Sequence, residues 1–201
     1  DGVPRLQKPP LLYWLTIISF KLLGVNAAAA RLPIALSVIG TVALVFLIGE
    51  KLMDYGRGFI AGLIYLSLSG TFLLARIVMP EPFVSMLITA AIFCAICGYQ
   101  RRKQRRAWYA GVWICCALAC LSKGVLGLFY PAAVFLLLSI FYREARVRFS
   151  QLLRWEYAFL FLLIVTPWHI WAARNFPGYF SYLIGKEWMG HLRGLYDETG
   201  D

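Results

Sequence analysis

The sequence predicts an all-α membrane protein, a polytopic helical bundle with about six spans and one short helix at the membrane surface. Of its 201 residues, 61% are hydrophobic and 15% are charged, whereas soluble domains have about 45–50% and about 25%. The charged residues fall in clusters separated by uncharged stretches of 16 to 19 residues. A helix of that length crosses most or all of a hydrocarbon core about 30 Å thick. The pattern excludes a disordered chain, a disulfide-rich secreted domain and a typical cytosolic enzyme.

The first element is a short helix over residues 11–24, which contains Lys21 and begins with Leu11-Leu12-Tyr13-Trp14. Aromatic residues prefer the headgroup level, so this helix is expected to lie in the interface. The predicted spans are 32–49, 59–75, 82–100, 107–122, 124–142 and 157–173. We expect one transmembrane domain over 1–201, with an outer loop and interfacial helix in 1–31, spans in 32–173 and an extracytoplasmic segment in 174–201. Because the chain starts at Asp1, it is expected to be part of a longer chain.

Small residues and prolines inside the spans predict how the helices pack. Gly58 and Gly62 are spaced for a close helix–helix contact. Pro131 and Pro167 lie inside spans, where neighbouring helices can satisfy the carbonyl groups that a proline leaves without a donor. The C-x-x-C pair Cys94 and Cys97 lacks polar flanks and a second pair. We therefore interpret these cysteines as small packing residues, not as a metal or redox site.

The distribution of basic residues predicts the orientation in the membrane. The formal net charge is +10, and 11 of the 20 Lys and Arg residues lie in the segments 50–58, 101–106 and 143–156. Basic loops face the cytoplasm in membrane proteins. The excess of positive charge therefore indicates membrane topology, and no nucleic-acid motif accompanies it.

A second set of charged or titratable residues is predicted to lie on the opposite, extracytoplasmic side, next to apolar segments. Any one of them could be an ordinary solvated loop end, but together they predict a functional cavity, because charges at membrane depth are expensive. They are Arg5, Lys8, Arg76, Glu81, Lys123, Arg174, Glu187, His191 and Arg193. Lone His169 is expected to be a packed or interfacial histidine.

Two of these groups have informative spacing. In Lys8-Pro9-Pro10 the prolines fix an extended backbone just before a helix, which directs one ammonium group toward the level of lipid phosphates. Lysines and prolines are also frequent beside membrane helices. Glu187 and His191 are four residues apart and would share a helix face, which allows a divalent metal or a proton relay.

Four motifs, in order, resemble those of a known family. They are Lys8-Pro9-Pro10-Leu11 with Tyr13-Trp14-Leu15 and Arg31-Leu32-Pro33, then Met79-Pro80-Glu81-Pro82, then Leu121-Ser122-Lys123-Gly124, and then Pro167-Trp168 followed by Arg174-Asn175-Phe176-Pro177 and Glu187. The chain resembles the integral-membrane glycosyltransferases of the aminoarabinose transferase and protein O-mannosyltransferase superfamily. It departs from the family pattern at Gln7 and Trp188.

The resemblance implies a C-type glycosyltransferase fold and transfer of a sugar from a polyprenyl-phosphate donor to a lipid or glycan acceptor outside the cytoplasm. It implies a multi-pass location in the inner membrane, among membrane lipids. Lys8, Arg5 and Arg193 are expected to bind the donor phosphate, and Glu81 to act as a catalytic carboxylate on the acceptor side. Arg76, Lys123, Glu187 and His191 would line the cavity.

Several alternatives stay open at this point. Glu81 could instead form an ion pair with Arg76 or be a plain loop carboxylate. No cofactor follows with certainty, although Glu187 and His191 leave a divalent metal open. The resemblance begins after the family's first span and first loop, which carries the aspartate usually regarded as essential. A different class, a non-catalytic lipid-phosphate-binding module or a transporter, would also explain charges beside membrane helices.

Overall fold

The computed structural model describes residues 9–176 and 179, and within these every regular element is helical. The order is α1 (Leu11–Leu23), α2 (Ala27–Leu52), α3 (Tyr55–Ser67), α4 (Ser69–Leu74), α5 (Glu81–Gln100), α6 (Arg105–Lys123), α7 (Leu126–Phe141), α8 (Arg143–Phe149), a 3-10 turn (Ser150–Leu153) and α9 (Trp155–Asn175). The predicted fold class is therefore confirmed.

Helices α5 and α6 form the centre of the bundle. They are joined by the short connection 101–104 and pack against each other along their length. Ala91 and Ala95 of α5 share a buried cluster with Tyr109, Val112 and Cys116 of α6. The small α5 residues allow the two helices to approach closely, as membrane helices require. Cys94 of α5 packs against the same cluster, and Cys97 is buried.

Helices α2 and α3 pack through the predicted glycine pair. A methyl group at Gly58 would lie 2.6 Å from the Phe46 carbonyl oxygen, and one at Gly62 would lie 3.4 Å from the Phe46 Cβ. These distances mean that the α3 backbone rests almost directly on α2. The close helix contact expected from the spacing of Gly58 and Gly62 is confirmed.

One end of the bundle gathers the three basic segments 50–58, 101–106 and 143–156, and we call it the basic end. Gln100 Nε2 donates to the Lys51 carbonyl oxygen at 3.2 Å, which places the carboxyl ends of α2 and α5 together. Arg148 Nη1 donates to the Tyr99 carbonyl oxygen at 3.0 Å, which brings α8 to the same place. Because α5 ends with Gln100 at the basic end, its first residue, Glu81, lies at the opposite end, which we call the Glu81 end.

Helix α1 lies across the Glu81 end. Its first turn places Leu11 and Leu15 against a buried cluster of Phe83, Val84, Leu87 and Ala119 at the start of α5 and the end of α6. Near its other end, Ser19 Oγ donates to the Ala29 carbonyl oxygen at the start of α2. Both ends of α1 therefore lie at the same end of the bundle, as expected for a helix in the membrane interface.

Three helices of the described part of the chain are both long and apolar enough to cross a membrane: Ala27–Leu52, Glu81–Gln100 and Trp155–Asn175. All six predicted spans are helical, but segment 59–75 is not one helix. It divides at Leu68, which has the extended angles φ −65° and ψ 127° and separates α3 from α4. The prediction of a single helix there was wrong. Helices α7 and α9 continue through Pro131 and Pro167.

Candidate functional site

Glu81 is the first residue of α5, and the prolines on either side of it explain that position. Pro80 precedes the helix with φ −72°, and Pro82 occupies the first turn. Proline suits the first turn because its fixed φ is helical and the N–H that it lacks would have no partner there. A carboxylate at this position also interacts favourably with the positive end of the helix dipole. The motif therefore presents Glu81 at the rim of the bundle.

Lys123 is the last residue of α6, and a glycine ends the helix after it. Gly124 has φ +66°, a conformation that other residues adopt only with strain, and it turns the chain toward α7. The ammonium group of Lys123 lies near the negative end of the α6 dipole, where a cation is favoured. Because α5 and α6 are antiparallel, the end of α6 lies beside the start of α5.

The structure joins these two side chains in an ion pair. Lys123 Nζ donates to Glu81 Oε1 at 2.6 Å, and the two side chains are 37% and 34% exposed. The pair is thus neither buried in the bundle nor fully in solvent. A lysine at this distance compensates the charge of the carboxylate and holds its orientation. A substrate can still approach the partly exposed groups.

The alternative pairing of Glu81 with Arg76 is wrong. The Arg76 guanidinium lies over the ring of Phe72, with Cζ 4.2 Å from the ring centroid. Phe72 lies in α4 and Arg76 follows this helix by two residues, so Arg76 makes a local cation–π contact. Lys123, 42 residues away in sequence, pairs with Glu81 instead.

The start of α1 also reaches this end. Pro10 is buried, and Leu11 packs on the cluster that contains Phe83 and Val84, two and three residues after Glu81. Pro10, the last residue of the Lys8-Pro9-Pro10 motif, therefore lies at the same end as Glu81. The predicted site residues Arg5, Lys8, Glu187, His191 and Arg193 lie outside the described residues, so their roles stay predictions.

Aromatic side chains of α1 and α9 form a second feature of this end. Trp14 meets Trp168 edge to face at 5.8 Å, and Trp168 stacks on Trp171 at 5.0 Å. Nδ1 of His169 and the Tyr179 hydroxyl are joined by a hydrogen bond of 2.8 Å. His169 is thus a packed histidine, as expected. The contacts of Trp14 and Tyr179 were not foreseen, although the i, i+3 spacing of Trp168 and Trp171 indicated that these two share a face.

Metal ligands do not cluster in the part of the chain that the structure describes. Residues 9–176 and 179 contain no group of three His, Cys, Asp or Glu side chains close enough to hold a metal ion. Glu187 and His191, the pair for which a metal was considered, lie beyond these residues. Two cavities at the side and basic end of the bundle, of about 840 and 580 Å³, are not lined by Glu81 or Lys123.

The arrangement defines a class of protein. It is a multi-pass helical membrane protein with a carboxylate–lysine pair at one end, where the prolines before the short apolar helix α1 also lie. Residues 7–171 match the family described as dolichyl-phosphate-mannose-protein mannosyltransferase. This match covers most of the 201 residues, and the chain belongs to that family. The resemblance noted in the sequence motifs is confirmed.

Curated relatives agree with this assignment. The chain is 27% identical over 192 residues to undecaprenyl phosphate-alpha-4-amino-4-deoxy-L-arabinose arabinosyl transferase 1 of Proteus mirabilis, covering 93% of this chain and 34% of the relative. It is 29% identical over 172 residues to an uncharacterised protein of Aquifex aeolicus, covering 86% and 37%. The chain thus spans about a third of the length of these relatives.

Solved structures share the fold. ArnT from Cupriavidus metallidurans bound to undecaprenyl phosphate aligns with a TM-score of 0.85 at 20% identity, over 92% of this chain and 35% of that one. The apo state of the same protein gives a TM-score of 0.81. These alignments confirm the C-type glycosyltransferase fold that the sequence resemblance implied.

Proposed function

We propose that the protein carrying this chain transfers a sugar from a polyprenyl-phosphate donor to a lipid or glycan acceptor. The observation that carries the proposal is the Glu81–Lys123 ion pair of 2.6 Å at the bundle end that also receives the start of α1. Membership of a family named for a dolichyl-phosphate-mannose donor supports it. So does similarity to relatives that are named as arabinosyl transferases using undecaprenyl phosphate.

The reaction divides into a donor side and an acceptor side. An oxygen or nitrogen of the acceptor attacks the anomeric carbon of the sugar, and the bond from that carbon to the phosphate oxygen breaks. The polyprenyl phosphate leaves with the bonding electrons, and the acceptor gives up its proton to a base. The leaving phosphate needs cations, and the acceptor needs a carboxylate to orient it or to take the proton.

The named residues suit these two tasks by charge. Lys8, with Arg5 and Arg193, would neutralise the phosphate of the donor. Glu81 would act on the acceptor side, since a carboxylate repels an anionic carrier but accepts a hydrogen bond from a hydroxyl or amine. Lys123 would be a positioning residue, because its 2.6 Å contact fixes one carboxylate oxygen and leaves both side chains about a third exposed.

We assign the Glu81 end to the extracytoplasmic side of the inner membrane. Eleven basic and four acidic residues lie in segments 50–58, 101–106 and 143–156, and contacts among α2, α5 and α8 group them at one end. By the positive-inside rule this end faces the cytoplasm. The Glu81 end, and with it the reaction, then faces outward.

A transfer assay tests the proposal directly. The whole protein is reconstituted in vesicles with radiolabelled polyprenyl-phosphate sugars, first 4-amino-4-deoxy-L-arabinose and then mannose, together with membrane lipid extract as acceptor. Label should move from donor to acceptor, and Glu81→Gln should abolish most of the transfer. Donor binding without transfer to any acceptor, unchanged in Glu81→Gln, would instead favour a lipid-phosphate-binding module.

A further inference from the structure

A groove at the basic end lies far from the Glu81–Lys123 pair. It has a volume of about 580 Å³ and is bounded by the ends of α2, α5 and α7 and by the start of α8. The 20 residues of α5 separate the two regions, which corresponds to about 30 Å along a helix. The groove therefore belongs to a different part of the molecule from the proposed transfer site.

The wall of the groove is apolar on the side of the helices. Leu52 of α2, Ile96 of α5 and Leu138 and Phe141 of α7 line it. Phe141 and Leu52 are exposed, so the wall is open and not sealed inside the bundle. A surface of this kind at the end of membrane helices fits a hydrocarbon chain.

The rim of the groove is polar, and most of its charge is already compensated. The Tyr99 hydroxyl donates to Glu144 Oε2 at 3.4 Å, and Arg148 Nη2 lies 3.6 Å from the same oxygen. The Arg148 guanidinium also covers the Tyr99 ring at 4.1 Å. Glu144 is therefore held by two groups of the protein itself.

Arg143 is different. It lines the groove and is exposed, and among the described residues it has no carboxylate within ion-pair distance. Three of the four acidic residues of this end are engaged by other groups, because Glu144 lies beside Arg148, Asp54 pairs with Arg57 and Glu156 pairs with Arg154. The fourth, Glu50, is not within ion-pair distance of Arg143. The groove thus has an apolar wall and one cation without an ion-pair partner among the described residues. The basic end around it carries a net positive charge.

We propose that this groove binds an anionic phospholipid, with the lipid phosphate at Arg143 and an acyl chain along Ile96, Leu138 and Phe141. The charge of the rim is complementary to a phosphodiester that carries a net negative charge. A zwitterionic headgroup, in which a cation of the lipid itself cancels the phosphate charge, gains less binding energy from Arg143. The apolar wall adds affinity that a soluble phosphate lacks. This site is independent of the proposed transfer activity.

Native mass spectrometry of the whole protein in mild detergent tests the proposal with two lipids of identical acyl chains, dioleoyl phosphatidylglycerol and dioleoyl phosphatidylcholine. The anionic lipid should bind about five- to tenfold more tightly, the range expected for one partly screened charge-assisted contact. Arg143→Gln should remove most of this difference and weaken binding of the zwitterionic lipid far less. Phe141→Ser should weaken both lipids by a similar factor of about three to five.

Arg57→Gln is the matched control, because Arg57 is an exposed cation of the same end that pairs with Asp54 and does not line the groove. Equal losses in Arg57→Gln and Arg143→Gln would overturn the proposal, since general surface charge would then explain binding. Equal affinity for the two lipids would overturn it as well. Displacement of the lipid by millimolar glycerol 3-phosphate would indicate a free-phosphate site instead of a lipid site.

Discussion

The Glu81–Lys123 pair gives the sharpest test of the proposed function, because its exposure limits how much it can contribute to stability. With the two side chains 37% and 34% exposed, an ion pair contributes about 0.2–1 kcal/mol to folding. Glu81→Gln should therefore lower the thermal midpoint by only a few degrees. Loss of a general base instead lowers the turnover number by about 10²–10⁴. The two quantities differ enough to be separated in one variant.

Lys123→Met adds the second half of the test. If Lys123 positions Glu81, its loss should reduce turnover by about ten- to a hundredfold, because a catalytic group then loses its fixed geometry. The double variant should be no slower than Glu81→Gln alone, since groups that act as a unit give non-additive effects. Donor affinity, measured separately from turnover, should change little in Glu81→Gln.

Glu156→Gln is the control for the loss of a surface ion pair. Glu156 pairs with Arg154 at 3.0 Å, and the two side chains are 42% and 41% exposed, close to the values of the Glu81–Lys123 pair. This variant should keep its turnover. If Glu81→Gln also kept its turnover, with the same small loss of stability, Glu81 would be a structural carboxylate and its catalytic assignment would be wrong.

Three further predictions concern the donor, the orientation and the packing. Lys8→Ala should weaken use of the donor by about ten- to a hundredfold, as expected for one charge-assisted phosphate contact. Lys21→Ala in α1 should have far less effect. Equal losses in the two variants would contradict a specific role of Lys8. A cysteine at Lys103, in a variant without native thiols, should resist an impermeant reagent added outside the cell, and labelling there would reverse the orientation. In a thermal denaturation assay, Gly58→Ala should destabilise the protein by about 1–3 kcal/mol, because the methyl group would lie 2.6 Å from backbone atoms of α2. The control Gly70→Ala should be neutral, since there is open space around Gly70. A neutral Gly58→Ala would contradict the close α2–α3 packing.

The helical content could be predicted because uncharged length and hydropathy decide which segments can enter a membrane. The break at Leu68 could not be predicted, because Leu68 is itself apolar and hydropathy carries no information on the backbone angle ψ. The local cause involves hydroxyl groups. Ser67 Oγ donates to the Leu63 carbonyl oxygen, and Thr71 Oγ1 reaches across the break to the Tyr65 carbonyl oxygen at 3.0 Å. Such side-chain hydrogen bonds compete with the regular helix ladder.

The candidate site could be predicted only in part for a related reason. Glu81 and Lys123 were both placed on one side of the membrane by counting spans, but their contact depends on α5 and α6 being direct neighbours. Sequence proximity suggested Arg76 as an alternative partner of Glu81, but Arg76 packs on the ring of Phe72. The Trp14–Trp168 contact joins the first and last described helices, so no local pattern could indicate it.

Helices α5 and α6 form a hairpin, and Glu81 and Lys123 lie at the end of it that is far from the connection. The contact between these two side chains therefore depends on the rotational register of both helices. One residue inserted into α5 or α6 would rotate the tip by about 100° and advance it by about 1.5 Å. The carboxylate and the ammonium group would then point to different sides. The connection 101–104 lies at the opposite end of the hairpin, where a change of loop length leaves the phase of both helices intact. Homologous chains that keep this pair should therefore vary in the length of the connection and conserve the number of residues from Glu81 to Gln100 and from Arg105 to Lys123.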